Sequence, residues 1–290
     1  MIDVNKIKIK DGISNNIIDD VQYLHKTIWG LDSLEMTPSH IYVATQHNGG
    51  KVLCAYYENK PIGFVFGFPS VDDNGKVAFY SHNLGVLKKF RNYGIGFLLK
   101  KELRRVLLNL NYKNVYWTFE PLDSKNAYSY IHKLGCVSNS YQINYYGEMR
   151  DSINKKLPSD RLIMNWRIAS SHVDKAIKNS SKNSINEIND GIRLNFTKEL
   201  LDTFLEPIEI NGNNFEFGKN SDLKFYLEIP INFPELKKSS PKLALKWKLH
   251  VREIMTKCFA NNLYIIDVIY DQQKFFFIFA NKNKLTKYWR

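Results

Sequence analysis

The stretch Val86-Leu87-Lys88-Lys89-Phe90-Arg91-Asn92-Tyr93-Gly94-Ile95-Gly96 joins a segment patterned as a strand to one patterned as a helix. Ala78 to Val86 reads as the strand. In the helix, which runs through Leu110, residues Ile95, Leu98, Leu99, Leu103, Val106, Leu107 and Leu110 make an apolar face. Lys100, Lys101, Arg104 and Arg105 line the other side. Glycines at 94 and 96 remove side chains where an anion would approach the backbone. The first helical turn leaves N–H groups without carbonyl partners, and the helix dipole favours negative charge there. Arg91 adds a fixed positive charge. The spacing is too short for a G-x-x-x-x-G-K-[ST] loop and lacks the first glycine of the dinucleotide fingerprint. A plain strand-to-helix turn is the competing reading of the same residues.

The surrounding pattern is that of a mixed sheet. Ile7 to Ile9 reads as a first strand, Asn15 to Trp29 and Ser33 to His47 as helices. Val52 to Tyr57 and Ile62 to Phe68 read as strands joined by the tight connection 58–61, and Val71 to Gly75 as a turn. Asn114 to Phe119 is a fifth strand, Ser124 to Leu134 a short helix closed by Gly135, and Ser140 to Tyr146 a further strand. This order predicts an α+β fold with a mostly antiparallel sheet flanked by helices. The segment from Asp151 to Asp190 is polar, which places a boundary near residue 150. Beyond it, Leu223 to Ile229 reads as a strand and Pro241 to Asn261 as an amphipathic helix. Leu263 to Tyr270 and Lys274 to Ala280 read as a hairpin around residues 271–273. Two domains follow, 1–150 and an α+β extension, 151–290.

Composition narrows the partners. With 41 Lys and Arg against 29 Asp and Glu in 290 residues, the formal charge is +12, which suits an anionic ligand. Nucleic acid competes as a partner, but the lysines are dispersed. Their densest group (Lys237, Lys238, Lys242, Lys246, Lys248) lies far from the glycine loop, and no aromatic–basic recognition motif accompanies it. No run reaches the ~18 apolar residues of a membrane span. Met1 to Lys6 lacks a secretory apolar core, so a cytoplasmic protein is expected. Cys54, Cys136 and Cys258 lie far apart without metal-ligand spacing, so buried thiols are expected, with neither disulfide nor metal.

The loop resembles motif A of the GNAT superfamily, V-x-x-x-x-[RQ]-x-x-G-x-[GA], and residues 1–150 follow that fold's order of elements. Trp29-Gly30, Asn48-Gly49-Gly50, Ser81-His82, Trp117 to Leu122, Asn126-Ala127, Leu134-Gly135, Asn144 to Gly147 and Pro158 to Arg161 resemble an uncharacterised subfamily with a long C-terminal extension. The resemblance implies an N-acyltransferase that uses acetyl-CoA or another acyl-CoA as co-substrate. It implies that the backbone of Leu84 and Val86 bonds the pantetheine arm. Arg91, Asn92, Tyr93, Gly94, Ile95 and Gly96 would hold the diphosphate, and the thioester would lie between strands 78–86 and 114–119.

Amine acylation needs an acceptor for the amine proton, support for an oxyanion and often a proton for the thiolate. His82 alternates in phase with Leu84 and Val86, which would place it near the thioester; a structural histidine within the sheet is the equal alternative. Family members carry a helix tyrosine where this chain has Ile131, and an asparagine where it has Ser124. Tyr128, at i−3 from Ile131, is the preferred acid, with adjacent Tyr130 pointing elsewhere. Asn126 is a further candidate for the pantetheine arm. Glu120 could accept a proton or face solvent, and Asp160-Arg161 could meet substrate or form internal ion pairs. Trp29 and Trp117 are expected in the core.

Transfer to a primary amine, a small molecule such as an amino acid, is therefore expected, with the extension shaping the acceptor pocket. A protein N-terminus or lysine is an alternative acceptor. A non-catalytic acyl-CoA sensor or scaffold is the alternative function, and a nucleic-acid-associated basic protein the third. A homodimer stays open.

Overall fold

The computed structural model describes residues 2–12, 14–30, 36–72, 75–147, 157–178, 188, 191–200, 204–208, 223–271 and 273–287. Two compact units divide these residues, Met1–Trp117 and Thr118–Arg290. The boundary expected near residue 150 falls within 148–156, outside the described residues.

In the first unit the sheet order is β1-β2-β3-β4-β5, formed by β1 (Lys8–Asp11), β2 (Lys51–Tyr57), β3 (Lys60–Val71), β4 (Val77–Val86) and β5 (Asn114–Phe119, ending two residues beyond the unit). The first four pair antiparallel; β4 and β5 pair parallel. Val52 through Tyr56 are all buried, which an alternating strand achieves only when both sheet faces are covered. The covering helices are α1 (Asn15–Trp29) and α2 (Ser39–His47), and, from the other face, α3 (Ile95–Asn109). Val21 and Leu24 of α1, and Leu99, Leu103 and Leu107 of α3, fill the two layers. The second helix was expected from Ser33; residues 31–35 lie outside the described residues, and the helix observed begins at Ser39. Part of the turn expected at 71–75 (residues 73–74) lies outside them too.

The second unit has the strand order β7-β6-β12-β13-β11-β8. Here β6 is Val137–Gln142, β7 Arg161–Arg167, β8 Ile192–Arg193, β11 Phe225–Ile229, β12 Leu263–Tyr270 and β13 Phe275–Asn281. A separate hairpin pairs β9 (Phe196–Leu200) with β10 (Phe204–Ile208). Phe275 through Ala280 are buried without a break. Val137, Tyr226, Ile266, Ile269, Phe276, Ile278, Ala280 and Leu285 form a shared core. Helix α7 (Pro241–Ala260) buries Trp247, Val251, Met255 and Cys258, and α6 (Phe233–Ser239) precedes it.

Several expectations need correction. The strand expected at Ser140–Tyr146 ends at Gln142 and starts earlier, at Val137; Asn144, with φ 51°, is left-handed and turns the chain. The single helix expected over 124–134 is α4 (Ser124–Ala127) followed by a π-helix, Tyr128–Lys133, in which Leu134 N–H bonds Ser129 O at 3.1 Å. Strand β7 and helix α5 (Ser171–Lys178) lie inside the segment read only as polar. The alternation of buried Leu162, Met164 and Trp166 was the overlooked strand signal.

Candidate active site

The glycine loop presents an open helix end. After β4 a 3₁₀ turn (Lys88–Phe90) buries Phe90, and the chain then surfaces from Arg91 through Gly94. Asn92 (φ 68°) and Gly94 (φ 77°) are left-handed, the conformation that turns successive N–H groups toward one concavity. Gly94 caps α3 without a side-chain bond, and the first turn carries no acidic residue. A methyl added at Gly94 would meet nothing within 4 Å, and one at Gly96 would lie 3.7 Å from Leu84 Cδ2. The loop is thus open to solvent, and its partial positive charge is left uncancelled by any acidic side chain in that turn. Arg91 Nε donates to the Val86 carbonyl at 3.0 Å, closing the loop's base.

Upstream, β4 forks away from β5. Their ladder consists of Phe79↔Val115 and Tyr80↔Tyr116. From Ser81 to Val86, β3 is the ladder partner of β4 among the described residues. Within that ladder Phe66 opposes Asn83 and Gly67 opposes Ser81, so His82 is the extra residue of a β-bulge.

The bulge corrects the expected phase of His82. Leu84 faces Gly96 of α3, whereas the His82 ring lies against Phe66, Phe68 and Tyr80, at 6.0, 5.7 and 6.1 Å between centroids. Phe66 in turn packs on Tyr42 of α2. One inserted residue breaks the two-residue alternation, so His82 sits toward the α1/α2 face. The side chain retains exposed surface, yet its ring neighbours displace water, and desolvation lowers its pKa below the ordinary histidine value.

Next to the bulge, Asn83 Nδ2 lies 3.3 Å from His25 Nε2, and His25 Nδ1 lies 3.0 Å from the Tyr42 hydroxyl. His25 is buried; its pKa is lowered first by desolvation and then by the charge of His82. Sequence reasoning missed this chain because its members come from three elements. Trp29, expected in the core, is 42% exposed, with its ring against Gly85 and Phe64; Trp117 is buried as expected.

In the second unit, the Glu120 carboxylate accepts from Lys248 Nζ at 2.8 and 3.0 Å and from Arg161 at 3.4 Å. Lys248 is buried, and the carboxylate is committed to an ion-pair network rather than left to solvent. Asp160 binds Arg252, so both members of the Asp160-Arg161 pair make internal bridges. Asn126 is exposed, with its amide nitrogen on Asp123 Oδ2 at 2.8 Å. Tyr128 stacks on His132 at 5.0 Å, beside Tyr270, and burial raises its pKa. His132 Nδ1 lies 2.9 Å from Asp267. Ile131 and Tyr130 are both buried, Tyr130 against Phe119. The wide π-turn is the reason helical spacing misjudged these faces. Among the described residues no three His, Cys, Asp or Glu side chains gather as metal ligands, and no helix is long and apolar enough to cross a membrane.

An uncapped helix start thus follows a bulged strand whose ladder with its parallel neighbour consists of two residue pairs. Residues 19–136 match the family model described as "Acetyltransferase (GNAT) family". No curated protein matches the chain. Among solved structures, Arabidopsis thaliana Naa50 in complex with the bisubstrate analogue CoA-Ac-MVNAL is 17% identical, covering 55% of this chain and 97% of its own, with TM-score 0.43. A GNAT family acetyltransferase from Elizabethkingia anophelis with acetyl-CoA bound is 19% identical, over 56% and 99%, with TM-score 0.41. The ribosomal-protein-S18-alanine N-acetyltransferase from Escherichia coli is 14% identical, over 57% and 96%, with TM-score 0.44.

Proposed function

We propose that the protein transfers an acyl group from acetyl-CoA, or a related acyl-CoA such as succinyl-CoA, to a primary amine. The match of residues 19–136 to the GNAT acetyltransferase model supports the activity, and the open α3 N-terminus at Gly94 is the observation that carries it. In this reading the amides from Arg91 to Gly96 hold the diphosphate, and Leu84 and Val86 bond the pantetheine arm as an added strand would. Arg91 already takes the Val86 carbonyl, so the Val86 contact falls to that oxygen's second lone pair or to its N–H.

The amine attacks the thioester in a ternary complex, where orientation supplies much of the acceleration. His82, whose lowered pKa keeps it neutral at pH 7, takes the amine proton directly or through water. Backbone N–H groups where β4 parts from β5 steady the oxyanion. The acceptor is a small-molecule amine such as an amino acid. Thiol release with amino acids, polyamines and N-terminal peptides tests this, together with calorimetry on coenzyme A. No thiol release with any amine and no heat with coenzyme A would sink the activity; turnover with peptides alone would sink only the acceptor class.

The buried Ile131 at the family's tyrosine position favours a second reading, a non-catalytic acyl-CoA sensor. Ordinary coenzyme A affinity without turnover, in wild type and His82→Ala alike, is its signature.

A further inference from the structure

The β4–β5 ladder ends at Tyr80↔Tyr116, and the next residue on each strand, Ser81 and Trp117, touches the same side chain. Lys100 Nζ donates to Ser81 Oγ at 2.9 Å and lies 3.5 Å from the centroid of the Trp117 ring. Helical spacing placed Lys100 on the solvent side of α3; it is 1% exposed, and Ser81 and Trp117 are buried with it. Moving an ammonium out of water is costly, and an apolar side chain would fill this floor at lower cost. The hydroxyl and the indole face make the position tolerable for a cation. Its placement, at the first step where the strands part, coincides with the point where the thioester would lie.

We propose that Lys100 is the electrostatic floor of the thioester site, its ammonium stabilising the negative charge that builds on the carbonyl oxygen during transfer. This rests on the acyl-transfer reading above. As the amine nitrogen forms its bond to the thioester carbon, the carbonyl π pair moves onto oxygen. Collapse of that oxyanion restores the carbonyl and breaks the C–S bond, releasing coenzyme A thiolate, while the amine proton passes to His82. A fixed cation in a site shielded from water acts on the transient charge more strongly than it could in solvent, and needs no reorganisation. Coenzyme A affinity, by contrast, comes from the diphosphate loop at the far end of the fork.

Lys100→Met removes the charge at similar length, and Lys100→Gln keeps a donor for Ser81. Both are read by circular dichroism, calorimetry with coenzyme A, and kcat at saturating acetyl-CoA. The expected result is a fall in kcat of about 100-fold, with the Kd for coenzyme A unchanged within about threefold. Wild-type kcat in either folded variant overturns the proposal. So does a loss of affinity in step with kcat, or a loss confined to succinyl-CoA. A third measurement needs no Lys100 variant: adding acetyl-CoA to the wild-type chain should change Trp117 emission, obtained by difference from Trp117→Phe. No change with saturating acetyl-CoA overturns the proposal. A wild-type protein that neither binds acyl-CoA nor releases thiol sinks the acyl-transfer reading itself; normal wild-type turnover beside an unaffected Lys100→Gln sinks only the role of the lysine.

Discussion

Arg252 grips Asp160 through two parallel bonds, Nε to Oδ2 at 2.8 Å and Nη2 to Oδ1 at 2.9 Å. Asp160 has no exposed surface, and it also accepts from the Tyr141 hydroxyl at 2.8 Å and the Asn144 N–H at 3.1 Å. Within the second unit these four donors tie α7 to the end of β6, the turn that follows it and the start of β7.

Arg252→Ala strands this buried carboxylate and is expected to cost about 3–5 kcal/mol in urea unfolding at pH 7. Burial raises the proton affinity of Asp160, but bonds from Arg252, Asn144 and Tyr141 outweigh it, and its pKa lies below the ordinary value. The folded pKa is thus lower than the unfolded one. Its stabilisation is present in full above the ordinary carboxylate range of about 4, and is lost as pH falls through the lowered value. Wild type should therefore lose stability in acid more steeply than Arg252→Ala; parallel curves would contradict this.

Gly94→Ala meets no clash, so its effect isolates the backbone. A left-handed alanine costs about 1–2 kcal/mol, and the loop relieves that strain by turning its N–H groups away. Calorimetry should show coenzyme A binding weakened about tenfold, the equivalent of about 1.4 kcal/mol. Arg91→Ala should weaken it too, and reduce its salt dependence. Unchanged affinity in both variants would remove the diphosphate from this loop.

His82→Ala is expected to lower kcat by about 100-fold or more while the protein stays folded. A base works in its neutral form, and desolvation lowers the His82 pKa. The acid limb of kcat should therefore fall below the ordinary histidine value of about 6.5. A limb above that value, or one that survives in His82→Ala, assigns it to another group.

Glu120→Gln leaves the buried Lys248 ammonium without its carboxylate. Because Glu120 is itself part-exposed, the expected loss is at the low end for such pairs, about 3 kcal/mol by thermal or urea unfolding. Coenzyme A affinity and kcat per folded molecule should hold. A folded variant with kcat reduced about 100-fold would instead make Glu120 the proton acceptor.

Local pattern in the sequence determines part of this fold. The strand–glycine–helix junction at Val86 to Gly96 depends on φ angles and an uncapped first turn, both set by residues adjacent in the chain. The antiparallel β2–β3–β4 order follows from short connections and alternation. Strand β7 carries the same kind of signal in Leu162, Met164 and Trp166, but polar neighbours mask its period. Three features needed the folded chain, for a shared reason: each depends on groups distant in sequence or on one irregular residue. The bulge at His82 exists only against Phe66 and Gly67, and it reverses the side chain's facing. The π-turn at Tyr128–Lys133 rotates faces that α-helical spacing would align. Lys100 is buried because Ser81 and Trp117, from two strands, close over a position that periodicity assigns to water.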